Sequence, residues 1–184
     1  MAVIITSEQL AANIAVLATA LSQRHPDFAD VVFVGIQQGG AVLGEQLVAE
    51  LQRMHPGRTI PYGQLDITFY RDDIRKNIIP PDKMNIHFGV ENKTVILIDD
   101  VLFTGRTIKA ALDVLFDYGR PAKVELCVLV DRKEHRQFPI QADYVGTTVV
   151  TERSDKVKLV NNEFVLIPGK HILSAPDQIS PHTS

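Results

Sequence analysis

Apolar residues follow two different rhythms along this chain. Leu10, Ile14, Leu17 and Leu21 recur at helical spacing and predict a helix over 6–24 with one buried stripe. Thr6, with Gln9 three residues on, fits a capping box at its start. Residues 31–36 are instead apolar throughout, as in a strand covered on both faces. Gln37-Gln38-Gly39-Gly40 reads as a loop, 41–53 as a helix and 60–70 as a further strand. The pattern then predicts a central strand over 94–98, a helix over 108–118 stopped by Gly119 and Pro121, and strands over 123–130 and 143–150. Residues 156–160 and 164–167 flank Asn161-Asn162, a hairpin turn. Strands alternating with helices predict an α/β fold built on a doubly wound, mainly parallel sheet. Residues 71–92 break the alternation: they are polar, aperiodic and contain Pro80-Pro81. A connection of that length in a compact domain is expected to serve as a lid or binding loop. The stretch 171–184 reads as a loose tail.

Composition narrows the function classes. At 184 residues one domain is expected, and 45% hydrophobic with 22% charged residues is the balance of a water-soluble globular chain. The formal net charge of −3 excludes a nucleic-acid footprint spread over the whole chain but leaves a local basic face open. Cys127 is the single cysteine, so no intrachain disulfide forms; in an apolar run it reads as a small buried residue. The start of the chain lacks the basic and long apolar regions of a signal peptide, and no apolar run is long enough to span a bilayer. A cytoplasmic location is the default expectation. The six histidines show no metal-ligand spacing, and His135 reads as an exposed loop residue.

The chemistry concentrates in residues 95–107, VILIDDVLFTGRT. A buried strand is expected to end at Asp99-Asp100, and a small-residue loop follows at the start of a helix. Adjacent carboxylates repel, so a cation or a polyhydroxyl ligand is their natural partner. Gly105 lets backbone approach a ligand, Thr104 and Thr107 bring hydroxyls, Arg106 brings charge, and the helix N-terminus favours an anion. The combination suits a phosphate ester of a sugar, together with its metal.

This run resembles the ribose-phosphate signature of type I phosphoribosyltransferases, enzymes that use phosphoribosyl pyrophosphate (PRPP). The resemblance implies that family's sheet with a small hood region. It places Asp99 and Asp100 on the ribose hydroxyls, with Asp100 catalytic and both acids near Mg²⁺ indirectly, through hydroxyls or water. Val101, Leu102, Phe103, Thr104, Gly105, Arg106 and Thr107 then form the 5′-phosphate loop. Further segments are similar to the PyrR branch: LDITFYRDD at 65–73, YGRP at 118–121, VLVDR at 128–132 and FPIQADYVG at 138–146. That branch implies transfer of uracil onto PRPP to give UMP and pyrophosphate, and in some members UMP-dependent binding to the leader RNA of pyrimidine operons. It also implies a homo-oligomer, dimeric or higher. By the same resemblance Gln38, Gly39 and Gly40 are the pyrophosphate loop, and Arg71 opens a catalytic loop in which Arg75 and Lys76 add charge. Arg132 and Val157 belong to the base pocket.

The chain departs from the PyrR pattern at several places. Gly39 stands where many members carry the arginine of Lys-Thr-Arg-Gly, and a Gly-Gly ending is similar to some purine-type transferases. Residues 131–139 (DRKEHRQFP) run one residue longer than the family's DRGHRELP. Residues 146–152 (GTTVVTE) lack the lysine of GKNIPTS, and Gln141 replaces an arginine. These losses of positive charge lower the phosphate contribution to RNA affinity. Two alternatives stay open at this point: an RNA-binding regulator with weak or no catalysis, and a transferase acting on a purine or orotate.

Overall fold

Local sequence signals set the element boundaries. In the computed structural model, which describes residues 1–67 and 84–169, Thr6 Oγ1 accepts from the Gln9 amide at 3.3 Å and the Gln9 side chain accepts from the Thr6 amide at 2.9 Å. This capping box starts α1 (Ser7–Arg24), whose buried stripe is Leu10, Ile14, Leu17, Ala18 and Leu21. A short strand that the pattern did not announce, β1 (Ala2–Ile5), precedes it. The remaining elements are β2 (Val31–Ile36), α2 (Gly39–Met54), β3 (Tyr62–Leu65), β4 (Met84–Asn85), β5 (Thr94–Leu102), α3 (Arg106–Tyr118), β6 (Lys123–Asp131), β7 (Tyr144–Thr148), β8 (Lys156–Val160) and β9 (Glu163–Ile167). A single 3₁₀ turn, Lys133–His135, follows β6.

The main sheet has the order β4-β3-β2-β5-β6-β7. All its neighbours are parallel except β4, which runs antiparallel to β3. Side-chain alternation along the central strands divides the core in two. Phe33, Ile96, Ile98, Cys127 and Leu129 face α1 and α2, whereas Val32, Val34, Val95, Leu97, Leu126 and Val128 face α3. Helices therefore cover both faces, as the wholly apolar β2 requires. A separate antiparallel sheet, β1-β9-β8, forms the small hood. Its β8–β9 turn is the expected Asn161-Asn162 pair, left-handed at both residues (φ 50° and 60°), the geometry a two-residue hairpin asks for.

Four boundaries differ from expectation. The strand expected to stop at 98 continues to Leu102, because an equally long β6 supplies ladder partners: Asp99 lies opposite Val128, Val101 opposite Val130 and Leu102 opposite Asp131. The acids therefore stand within the strand rather than after it. Gly39 and Gly40, expected in a loop, form the first turn of α2, and Arg106 and Thr107 form that of α3. Of the expected strand over 60–70, Tyr62–Leu65 is ordered as β3. Residues 68–70, the greater part of the aperiodic segment including Arg71, Arg75 and Lys76, and the tail over 171–184 lie outside the described residues.

Candidate active site

Strand order determines where a ligand can sit. β2 leads through α2 to β3 on one side, and β5 leads through α3 to β6 on the other. The chain thus departs in opposite directions from adjacent parallel strands, which opens a crevice at their C-terminal ends. The loop after β2 and the acids of β5 meet there. A Cβ at Gly39 would lie 2.0 Å from Oδ2 of Asp100, and one at Gly40 would lie 2.5 Å from the Ile98 carbonyl oxygen. The start of α2 is thus pressed against β5 at a distance that excludes any side chain. The Gln37–Gln38 peptide bond at this junction is cis.

Two cavities are lined by residues from this end of the sheet. The larger, about 560 Å³, is lined by Gln38, Gly39 and Val42 from the α2 side, Asp100 from β5, and Val157, Lys158 and Leu159 from the hood. It brings together four residues expected to share a site, Gln38, Gly39, Asp100 and Val157. The smaller, about 260 Å³, is lined by Asp99 and by residues 101–108, the whole expected phosphate loop and the residue after it. Gly105 adopts φ 91°, a left-handed conformation that glycine takes without strain, and so turns the chain from β5 into α3. Gly105, at the N-cap of α3, has no side chain to cap the helix; Thr104 Oγ1 accepts from the Arg106 amide at 3.3 Å, and the start of the helix still favours an anion.

The acids are electrostatically distinct. Asp99 is buried, and burial followed by the neighbouring Asp100 carboxylate pushes its carboxyl well above the usual range. Its Oδ1 accepts from the Asp100 amide at 2.9 Å, and Asp100 Oδ1 accepts from the Val101 amide at 2.9 Å. Asp100 remains half-buried and faces the larger cavity. Hydroxyl donors or a cation would relieve the repulsion between the two. Among the described residues no group of three or more histidine, cysteine, aspartate or glutamate side chains converges as a metal cage. An acidic pair fits a hard cation that keeps waters and substrate oxygens as its other ligands.

Arg132 lines neither cavity. It is 2% exposed, donates from Nε to Thr151 Oγ1 (2.8 Å) and from Nη2 to the Glu152 carbonyl (2.9 Å), and lies flat on Phe103 with its guanidinium carbon 3.8 Å from the ring centroid. It ties the 151–152 segment to Phe103 and so to the loop that follows β5. His135, expected on an exposed loop, is half-buried: Nε2 sits 2.8 Å from the Thr151 carbonyl and the ring meets Phe103 edge-on at 5.3 Å. Sequence reasoning missed this clamp around Phe103. The signal was available, since β5 and β6 are parallel neighbours whose C-terminal loops must touch.

Comparison with known proteins places this architecture. Residues 6–162 match the phosphoribosyl transferase domain family. Hypoxanthine phosphoribosyltransferase from Staphylococcus aureus superposes with a TM-score of 0.64 at 24% identity, covering 83% of this chain and 79% of that one. The Trypanosoma cruzi enzyme gives 0.69 at 16% identity over 92% of this chain and 98% of its own. At these identities the likeness establishes the fold. Sequence relatives go further: "Bifunctional protein PyrR" of Desulfosudis oleivorans is 48% identical over 149 residues, 80% of this chain and 82% of the relative. Its namesake from Mannheimia succiniciproducens is 45% identical over 168 residues, 88% and 92% respectively. The chain belongs to the phosphoribosyltransferase family and, within it, to the PyrR proteins.

Proposed function

We propose that this protein is a uracil phosphoribosyltransferase that joins uracil to PRPP, giving UMP and pyrophosphate. The observation that carries the reading is the crevice between β2 and β5, where the glycine-bearing start of α2 is pressed against Asp100 and the acidic pair runs directly into the loop and helix start over 101–108. Asp99 and Asp100 accept hydrogen bonds from the ribose hydroxyls. The turn over 103–107 takes the 5′-phosphate through backbone amides and the start of α3. Gln38, Gly39 and Gly40 bring backbone close to the pyrophosphate, and Val157 offers hood backbone and an apolar side chain to the base. As pyrophosphate departs, positive charge grows on the ribose ring, and the Asp100 carboxylate, the less buried of the two acids, stabilises that charge. Asp99 and Asp100 would hold Mg²⁺ indirectly, through ribose hydroxyls or water, and the ion would supply charge neutralisation of the leaving group. Arg71, in the LDITFYRDD segment, is proposed to meet pyrophosphate as the following loop closes.

A second activity accompanies the first. The relatives are named bifunctional, and we assign to this chain UMP-responsive binding of pyrimidine leader RNA. The enzymatic reading is tested with a panel of uracil, orotate and hypoxanthine, each with saturating PRPP and Mg²⁺, following pyrophosphate release. Uracil is expected to turn over at least about tenfold faster in kcat/KM than the others, a discrimination that pocket hydrogen bonds readily supply. No release with uracil overturns the reading, and preference for hypoxanthine or orotate reassigns the base.

A further inference from the structure

Three successive carbonyl groups of the phosphate loop, those of Leu102, Phe103 and Thr104, are taken by one segment, residues 132–138. The Leu102 oxygen accepts from the Arg132 amide at 2.9 Å, and the Thr104 oxygen accepts from the amides of Gln137 (2.8 Å) and Phe138 (3.3 Å). Between them, the Phe103 oxygen accepts from Nη1 of Arg136, whose Nη2 donates to Oδ1 of Asp131 at 2.6 Å. Arg106 adds a side-chain tie, Nε to Gln137 Oε1 at 2.9 Å. A trans peptide is planar, and its C=O and the N–H of the next residue point in opposite directions. Carbonyls drawn toward the 132–138 segment therefore turn the amides of 103–105 away from it, and these same residues line the small cavity.

We infer that Arg136 is a positioning residue for the 5′-phosphate site: it sets the direction of the loop amides by holding the Phe103 carbonyl, while Asp131 fixes the guanidinium. Burial supports this assignment over an outward-facing role. The side chain of Arg136 is 17% exposed and that of Asp131 is 2% exposed, and both ends of the guanidinium fork are spent on internal partners. A planar fork is required, because one group must reach a carboxylate and a carbonyl at once, which the single ammonium of lysine does poorly. The inference rests on the phosphoribosyl reading of the crevice.

The test compares UMP with uridine, two ligands that differ only in the 5′-phosphate. Binding is measured by calorimetry for UMP and by saturation-transfer NMR for uridine, in the unaltered protein, Arg136→Lys and the charge-balanced double variant Asp131→Asn/Arg136→Gln. The lysine variant keeps a cation beside Asp131, and the double variant leaves no buried charge unpaired, so at least one is expected to fold. UMP is expected to bind about ten- to a hundredfold more weakly in both, with uridine affinity changed by less than about twofold. Equal losses for both ligands make Arg136 a general structural residue and overturn the inference, as does undiminished UMP affinity. If the unaltered protein binds no UMP, the phosphoribosyl reading itself fails, and this inference falls with it.

Discussion

Gly39 shows how one residue type can be decided by its neighbour. Read along the sequence, it is an arginine lost from the pyrophosphate loop. In the fold, the volume its side chain would occupy belongs to the Asp100 carboxylate, 2.0 Å from where a Cβ would stand. A methyl group there must displace either Asp100 or the first turn of α2, and neither is the end of a flexible chain free to swing aside. Gly39→Ala is therefore expected to lower kcat/KM for PRPP by about a hundredfold, the scale of losing one well-placed electrostatic group in an active site. The melting temperature should fall by only a few degrees, as for roughly 1 kcal/mol of local strain in a chain of this size. Steady-state kinetics at varied PRPP, with a thermal melt alongside, checks this, and unchanged PRPP kinetics would show that the crevice tolerates a side chain. The acidic pair itself was legible at sequence level, because Asp-Asp beside FTGRT has few other uses. The unequal standing of the two acids was not legible. It depends on β5 continuing past them, and that depends on the length of β6.

Elements were legible where periodicity was strong, as in α1, β2 and the hairpin at Asn161-Asn162. They were less so where a partner strand decides the outcome, as in β1 and the far end of β5. The tie between α1 and the sheet belongs to the second kind. Glu125, 1% exposed in β6, receives Tyr144 Oη from β7 (2.6 Å) and Lys123 Nζ (2.8 Å), with His25 Nε2 (2.9 Å) and Arg24 Nε (3.3 Å) from the end of α1. Burial alone would raise its pKa, but the hydrogen bonds from Lys123, Tyr144 and His25 outweigh it and bring the group from the usual 4.5 down to about 2. A carboxylate depressed on folding stabilises the fold above its unfolded pKa, and that contribution disappears as pH falls from about 4.5 through about 2. A depression of this size is worth on the order of 3 kcal/mol. Glu125→Gln is expected to be less stable than the parent at pH 7 by about 3 kcal/mol, since it leaves cations facing an amide. The gap should close as both are acidified. Urea melts at pH 7, 4 and 2.5 measure it; a gap that stays constant with pH would show that the charge of Glu125 does not hold α1 to the sheet.

Across the whole molecule, binding sites divide between the two sheets. The parallel sheet presents the smaller cavity, proposed above for ribose phosphate, and the hood strands supply the Val157 side of the larger one. RNA affinity depends on a different whole-molecule property. With a formal net charge of −3, the chain has little general attraction for a polyanion. Any hold on a leader RNA must then come from a few specific contacts that UMP helps to form. Two measurable consequences result. In a gel-retardation assay, pyrimidine leader RNA is expected to shift with UMP present and to run free without it. Raising salt from about 50 to about 200 mM should weaken the UMP-dependent complex by less than about a thousandfold, the lower bound for proteins that neutralise six or more phosphates. A shift that is independent of UMP and collapses steeply with salt would reveal a basic surface at odds with this charge distribution. Absence of any shift at about 50 mM salt with UMP bound would leave the crevice as an enzyme site alone, because low salt is where even a handful of phosphate contacts should hold.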